Sequence, residues 1–181
     1  MVFDRILPTY GDPVEGWGGI GYAVAAASAT LPADWGVRVV ARIGADLFGD
    51  AERLLSSMPR CELRLTSVPE PNNRVELHYR DAERRTEVLS GGVSGWSGSS
   101  LAEALTGCDA VLLNFISGHE LDLAELQVLR DRLSAMIYAD MHSLFLAVEP
   151  DGTRSPRTLD DWSAWFSCFD VVQMNEDEFA L

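Results

Sequence analysis

The sequence predicts an α/β fold in which a parallel sheet is layered with helices and carries a small antiparallel sheet. Residues 37–43 (VRVVARI) are β-branched and nearly continuous, which is typical of a strand covered on both faces. Strand, helix and strand then follow one another along the chain, an order that implies parallel strands joined by crossovers. Between these segments, residues 62–89 alternate apolar with polar side chains, which indicates strands with one solvated face.

The first part of the chain is predicted to run strand, turn, helix, strand and short helix. Residues 3–7 form the strand, and the turn-rich connection 8–17 leads to glycines that open a small, apolar helix ending before Pro32. After the strand at 37–43, GADLFGD is predicted to be a loop in which Asp50 caps the helix AERLLSSM.

The middle of the chain is predicted to be an insertion of antiparallel strands, at about 61–90. The strands are 62–68, 74–80 and 86–89, separated by the turns PEPNN and DAERR, and SGGVSGWSGSS is predicted to be a flexible return. The rest of the chain resumes the β–α order, with strands at 109–115, 137–141 and 171–174 and helices at 122–134 and 159–169.

Composition and charge exclude several classes of function. The chain has 181 residues, a length that fits one domain, and a net charge of −14 with arginine as its only strongly basic residue. Such an acidic protein repels phosphate backbones and anionic lipids, so nucleic acid and membranes are not expected partners. The three cysteines lack the spacing of a zinc site or a disulfide framework, and no signal peptide is evident, so we expect a cytoplasmic protein.

The last residues, NEDEFAL, begin a helix that the chain does not extend to two turns. A helix this short cannot bury a useful face. We therefore expect residues 1–181 to be a single but incomplete α/β domain whose C-terminal part is missing.

Ligands of open parallel sheets bind outside the carboxyl ends of the strands, and polar residues there are the candidate site. The glycines at 16, 18, 19 and 21 resemble a dinucleotide fingerprint only weakly, because a proline-containing loop separates them from the preceding strand. Gly18 and Gly19 either let the backbone approach a ligand or allow close helix packing, and both interpretations remain open. The candidates at strand ends are Asp4, residues 44–50, Ser117, Gly118, Asp140, His142, Asn175 and Glu178.

Three motifs in order resemble the PfkB-type (ribokinase-like) carbohydrate kinases. GGIGYAVAAASATL, a strand and ARIGADLFGDAERLL are similar to the family's first signature, in which a glycine-opened helix is followed by G-x-D-x-F-G. DVVQMNEDEF resembles the family's strand followed by N-x-x-E, with Asn175 and Glu178 in the motif positions. The alternating strands lie where the family has its lid.

The resemblance implies a ribokinase-like fold and transfer of a phosphoryl group from ATP to a sugar hydroxyl, with Mg²⁺. It implies that Asp4, Gly18 and Gly19 bind substrate and that Asn175 and Glu178 organise magnesium and phosphate indirectly, through water. It also implies that the β-lid can form a homodimer contact. Arg74, on a lid strand, is a further candidate for the substrate site, although a solvated lid face explains it as well.

Alternatives remain for each of these residues. Asp4 would otherwise only end a strand, the Asn175–Glu178 pair would only cap a helix, and GADLFGD would only be a turn. Asp140 and His142 are candidates for binding substrate or a metal, but two ligands without a third make a poor metal site. Two positions depart from the family pattern, since Ile20 and Ala23 are apolar where the family often has polar residues.

The family's G-A-G-D segment, which carries the catalytic base and the anion hole, does not occur in the sequence. We therefore assign no catalytic residue in this chain and expect most of the ATP site to be missing, so that the chain alone phosphorylates nothing. The alternatives are a catalytically inactive sugar-binding or dimerising module and, less well supported, part of a nucleotide-binding oxidoreductase. The sequence does not name the sugar.

Overall fold

The computed structural model describes residues 1–81 and 84–181, which form two compact units. The first unit comprises Met1–Val93 and Val148–Ser155, and the second comprises Ser94–Ala147 and Pro156–Leu181. The turn predicted at DAERR falls partly on residues 82 and 83, outside the described residues. Within the described ranges, no helix combines the length and the apolar character that crossing a membrane requires.

The first unit contains a β–α–β motif. Strands β3 (Val37–Gly44) and β4 (Cys61–Val68) pair in parallel, from Val37 opposite Cys61 to Gly44 opposite Val68, and helix α2 (Phe48–Ser56) connects them. Ile43 and Leu55 are fully buried in the two small apolar clusters under this motif. The elements of the first unit before residue 93 are β1 (Phe3–Leu7), β2 (Val14–Trp17), α1 (Ile20–Thr30), β3 (Val37–Gly44), α2 (Phe48–Ser56), β4 (Cys61–Val68), β5 (Arg74–Tyr79) and β6 (Arg85–Ser90).

The second sheet of this unit has the order β2-β1-β5-β6, and we call it the lid sheet. β1 runs parallel to β5, and the other two pairs are antiparallel. The prediction that residues 62–68 belong to the antiparallel strands is wrong, because β4 pairs with β3 instead. β4 alternates because its exposed residues face solvent while Leu63 and Leu65 pack on the clusters beneath α2. The connection predicted at 8–17 contains the short strand β2.

The second unit is built on a three-stranded parallel sheet. Its strand order is β11 (Val171–Gln173), β8 (Met136–Asp140) and β7 (Ala110–Asn114). Ile137, Ala139 and Met141, on one face of β8 and just after it, are fully buried. The elements after residue 93 are α3 (Gly98–Ala104), β7 (Ala110–Asn114), α4 (Leu123–Arg132), β8 (Met136–Asp140), a 3₁₀ turn (His142–Phe145), the hairpin strands β9 (Leu146–Val148) and β10 (Arg154–Pro156), α5 (Trp162–Ser167), β11 (Val171–Gln173) and α6 (Glu176–Phe179).

Two local predictions are wrong for identifiable reasons. The predicted flexible return contains the start of α3, where Ser97 accepts the Ser100 N–H at 3.2 Å as the N-cap. Gly98 belongs there because a Cβ would lie 2.0 Å from the Glu125 carbonyl oxygen, so only glycine lets α3 approach α4 this closely. Asp50 does not cap α2: the N-cap is Leu47, and Asp50 lies in the first turn, where it contacts Arg53.

Candidate functional site

The carboxylate of Asp4 lies directly against the α-carbon of Gly18. Asp4 is on β1, between Gly16 of β2 and Val75 of β5. A Cβ added to Gly18 would lie 1.9 Å from Oδ2 and 2.7 Å from Cγ of Asp4. With the carboxylate in this position, any larger residue at position 18 would overlap it. The space that Asp4 occupies therefore explains why residue 18 is glycine.

Gly19 turns the chain from this corner into helix α1. It is the N-cap of α1 with φ 54° and ψ −112°, a conformation that favours glycine, and it has no side chain of its own with which to cap the helix. The first N–H groups of a helix carry partial positive charge, which favours a carboxylate nearby. Asp4, Gly18 and Gly19 thus form one corner, which we call the Asp4 corner.

Arg74 does not share the face of the lid sheet on which Asp4 lies. It is paired with Phe3, the neighbour of Asp4, and successive side chains of a strand point to opposite faces. Its guanidinium donates to Asp46 Oδ2 at 2.7 Å and lies 5.7 Å from the centre of the Phe3 ring. The structure therefore groups three of the four predicted substrate residues and holds Arg74 elsewhere.

Asp46, in the GADLFGD loop, fixes the start of lid strand β5. One carboxylate oxygen accepts the backbone N–H of Asn72 at 2.8 Å, and the other accepts the Arg74 guanidinium. Burial on its own would raise the pKa of Asp46, but the Asn72 N–H and Arg74 together lower it below its ordinary value. The G-x-D part of the loop is therefore an anchor for the lid sheet as well as a turn.

Asn72 is the residue that sequence analysis missed. It is fully buried, and its Oδ1 accepts the Gly44 N–H at 3.1 Å while Nδ2 donates to the carbonyl groups of Met1 and Asn73 at 3.3 and 2.9 Å. A Cβ on Gly44 would lie 2.2 Å from the Asn72 backbone nitrogen. Asparagine next to proline predicts a turn, and nothing in that local pattern signals burial.

In the second unit, polar side chains lie together at the carboxyl ends of β7 and β8. Asn114 is directly opposite Asp140, and its Nδ2 donates to Asp140 Oδ2 at 3.0 Å. Burial raises the pKa of Asp140, an effect that His142 and Asn114 partly offset. Oδ1 of Asn114 is buried and accepts no hydrogen bond within the described structure.

Asn175 and Glu178 form a capping box at the start of α6. Asn175 Oδ1 accepts the Glu178 N–H at 2.8 Å, and the Glu178 carboxylate accepts the backbone N–H and the side-chain amide of Asn175 at 3.0 and 2.8 Å. The described residues contain no group of three or more His, Cys, Asp or Glu side chains that would hold a metal ion. Each Glu178 oxygen keeps a further lone pair, so the pair fits a contact with magnesium through water.

The strand that carries Asp4 and the strand that precedes Asn175 belong to different hydrogen-bonded sheets. β1 is part of the lid sheet in the first unit, and β11 is an edge strand of the parallel sheet in the second. The predicted strand ends therefore do not all belong to one continuous sheet.

No protein-family model matches this chain, and no curated protein matches it significantly. Solved structures do match across nearly its whole length. A pyrophosphate-dependent kinase of the ribokinase family, solved as a sulfate complex, is 17% identical with a TM-score of 0.77, and the match covers 98% of this chain and 60% of that one. A pyrophosphate-dependent kinase of the ribokinase family solved with a pyrophosphate analogue and myo-inositol is 16% identical with a TM-score of 0.75. That match covers 98% of this chain and 59% of the other.

Ribokinase from Thermotoga maritima is 16% identical with a TM-score of 0.63, and the match covers 97% of this chain and 57% of that one. The chain therefore spans less than two thirds of the length of the solved kinases it matches. At this level of identity the likeness establishes the fold. The chain has the ribokinase-like fold that its three motifs predict.

Proposed function

We propose that this chain is the substrate-binding part of a PfkB/ribokinase-type carbohydrate kinase, which phosphorylates a hydroxyl group of a sugar or a similar polyol. The observation that carries the proposal is the Asp4 carboxylate held against Gly18 at the start of α1. A carboxylate accepts hydrogen bonds from hydroxyl groups, and the adjacent glycines place no side chain beside it. The myo-inositol complex of a neighbour with the same fold supports a polyol substrate.

Each residue has a distinct role in this proposal. Asp4 accepts hydrogen bonds from substrate hydroxyls, and Gly18 with Gly19 shapes the backbone beside them. Asn175 and Glu178 orient waters of a magnesium ion, which would neutralise charge on the transferred phosphoryl group. Their mutual hydrogen bonds keep both side chains in a fixed geometry for that contact.

The phosphoryl donor is proposed to be ATP, as the resemblance implies. Pyrophosphate is a specific second candidate, because three structures with this fold are described as pyrophosphate-dependent kinases. The catalytic base and most of the donor site are proposed to lie outside these residues, since the sequence contains no G-A-G-D segment. A catalytically inactive sugar-binding or dimerising module is the alternative function.

We also propose that the protein is cytoplasmic, where its three thiols stay reduced, and that the lid sheet can pair two copies. Cys61, Cys108 and Cys168 are free thiols in the structure. β2 is an edge strand of the lid sheet, and Val14 on it is 59% exposed. An unpaired edge of this kind is a template for pairing with another strand.

Calorimetric titration of the chain with ribose, fructose, myo-inositol and inosine tests substrate binding. We expect at least one of these ligands to bind, and Asp4→Asn to weaken its affinity by roughly 10-fold or more, the usual effect of losing a hydrogen bond to a charged group. Asp12→Asn is the matched control, because Asp12 lies in an exposed loop of the same unit. Equal affinity of the two variants for the bound polyol would contradict the role of Asp4.

Donor consumption separates the kinase from the inactive module. The assay combines the chain, Mg²⁺ and the bound polyol with either ATP or pyrophosphate. We expect the chain alone to consume neither donor. Polyol-dependent consumption of one donor would show that the chain is itself catalytic, and would overturn the proposal that its base lies elsewhere.

A further inference from the structure

The face of the lid sheet that carries Asp4 has an apolar floor with polar groups at its far end. The pairing register places Ile6, Val75, Leu77 and Leu89 on this face, which we call the Asp4 face. Further from Asp4, the same register places Tyr79, Arg85 and Glu87 on it. An apolar surface with a few placed polar groups is the usual composition of a small-molecule site.

Glu87 is shared by two arginines. Its Oε1 accepts Arg85 Nε at 2.8 Å, and its Oε2 accepts a terminal nitrogen of Arg154 at 3.3 Å. The Arg154 side chain is only 3% exposed and the Glu87 side chain 13%. Burial on its own would raise the pKa of Glu87, but the two arginines lower it, so the carboxylate stays ionised.

The hairpin β9–β10 brings Arg154 to this position. The Leu89 N–H donates to the Gly152 carbonyl at 2.8 Å, and Val88 pairs with Thr153, so the hairpin lies along the outer edge of β6. Gly152 has φ 86°, and a Cβ there would lie 2.5 Å from the Leu89 carbonyl oxygen. Arg154 and Glu87 are therefore held by backbone pairing as well as by their ion pair.

Arg85 is the accessible member of this group. Its side chain is 39% exposed, whereas the Glu87 side chain that orients it is 13% exposed. A terminal nitrogen of Arg85 also donates to Tyr79 Oη at 3.2 Å, and its guanidinium lies 5.8 Å from the centre of the Tyr79 ring. A guanidinium fixed in this way loses little entropy when it binds a carboxylate or a phosphate.

We propose that Arg85 is a specificity residue that recognises an anionic group, a carboxylate or a phosphate, on the polyhydroxylated substrate. The inference rests on the proposed function, in which Asp4 binds hydroxyls on this face. From the strand rise and spacing, the α-carbons of Asp4 and Arg85 are about 16 Å apart. Side chains stand roughly perpendicular to a sheet, so a ligand that meets both residues must extend along the Asp4 face, as a six-carbon sugar acid or a polyol phosphate does.

Calorimetry with two matched ligand pairs tests this inference on the whole chain. The pairs are glucose with glucuronate and myo-inositol with myo-inositol 1-phosphate, so the two anionic groups are tested separately. We expect at least one anionic ligand to bind roughly 10- to 100-fold more tightly than its neutral partner, the usual range for a charge-assisted hydrogen bond. We expect Arg85→Gln to remove this preference and leave the affinity for the neutral partner within about twofold.

Arg5→Gln is the control, since Arg5 lies on the opposite face of the lid sheet with a 47% exposed side chain that pairs with Glu15 and Glu76. It should keep the anionic preference, and Arg85→Lys, which retains the charge, should keep part of it. Thermal unfolding of each variant confirms that it is folded. An anionic preference that survives in Arg85→Gln would overturn the inference.

Two further outcomes separate this inference from the proposed function. If neutral polyols bind through Asp4 but no anionic ligand binds more tightly, the inference fails and the proposed function stands. If none of the four ligands binds the natural chain and ribose, fructose and inosine do not bind it either, the proposed function fails and the inference fails with it.

Discussion

Gly18→Ala is expected to displace the Asp4 carboxylate from the start of α1. The new methyl carbon would lie 1.9 Å from Oδ2, 2.7 Å from Cγ and 3.0 Å from Oδ1 of Asp4. Non-bonded heavy atoms prefer a separation of roughly 3.5 Å, so the closest overlap exceeds about 1 Å. The obstructing atoms are the end of a side chain, so the Asp4 side chain can rotate away while the backbone stays in place.

This mechanism sets the size of the effect. Overpacking of a filled site costs about 1 to 3 kcal/mol, which corresponds to a fall in Tm of roughly 2 to 12 °C for a chain of this length. The free energy of polyol binding should change by more than the free energy of unfolding, because the displaced carboxylate no longer faces the ligand. Gly16→Ala is the matched control, since a Cβ on Gly16 meets no atom within 4 Å.

A double-mutant cycle with Asp4→Ala isolates the contact. Once the carboxylate is removed, Gly18→Ala should cost almost no stability, so the two changes should be strongly non-additive. Thermal unfolding followed by circular dichroism measures all four proteins. If Gly18→Ala costs the same stability with and without Asp4, the account of this corner is wrong.

Two further predictions concern the residues around the site. Asn72→Ala should lower the free energy of unfolding by about 2 kcal/mol, measured by urea denaturation, because it leaves the buried Gly44 N–H without its acceptor; an unchanged urea midpoint would contradict this. For the pH dependence of stability, the two shifted carboxyl groups should act with opposite sign. The lowered pKa of Asp46 gives stability that is present above its ordinary value of 3.8 and is lost as the pH falls through its folded pKa. The raised pKa of Asp140 gives stability that is lost as the pH rises from 3.8 through its folded pKa. We measure the urea midpoint between pH 2.5 and 7. Asp46→Asn should remove a loss of stability on the acid side, whereas Asp140→Asn should remove a loss of stability as the pH rises. Parallel profiles of midpoint against pH in the two variants would refute the assignment.

The parts of the fold that the sequence predicts are those whose signal is local. The continuous β-branched run of β3 and the helix–strand order after residue 109 follow from periodicity alone. Pairing between strands is not local, and for that reason the prediction places β4 in the wrong sheet. An edge strand with one solvent-exposed face alternates apolar and polar side chains whether its partner strand is parallel or antiparallel.

In the candidate site, too, the sequence predicts the residues that have a local signal and misses those that depend on distant contacts. Motifs predict Asp4, Gly18 and Gly19, and the structure adds the reason for Gly18, which is the space taken by the Asp4 carboxylate. Asn72 carries no motif, and its importance comes from burial and from four hydrogen bonds to distant parts of the chain and its neighbour. Arg85 and Glu87 become candidates for the site only through the strand register, which places them on the Asp4 face.

The most direct test of the Asp4 corner is a ¹H–¹⁵N NMR titration with the polyol that binds most tightly. We expect the amide resonances of Gly18, Gly19 and Ile20 to shift with ligand concentration in the natural sequence and to stay fixed in Asp4→Asn. Shifts confined to amides elsewhere, or the same shifts in Asp4→Asn, would contradict the assignment of this corner as the substrate site.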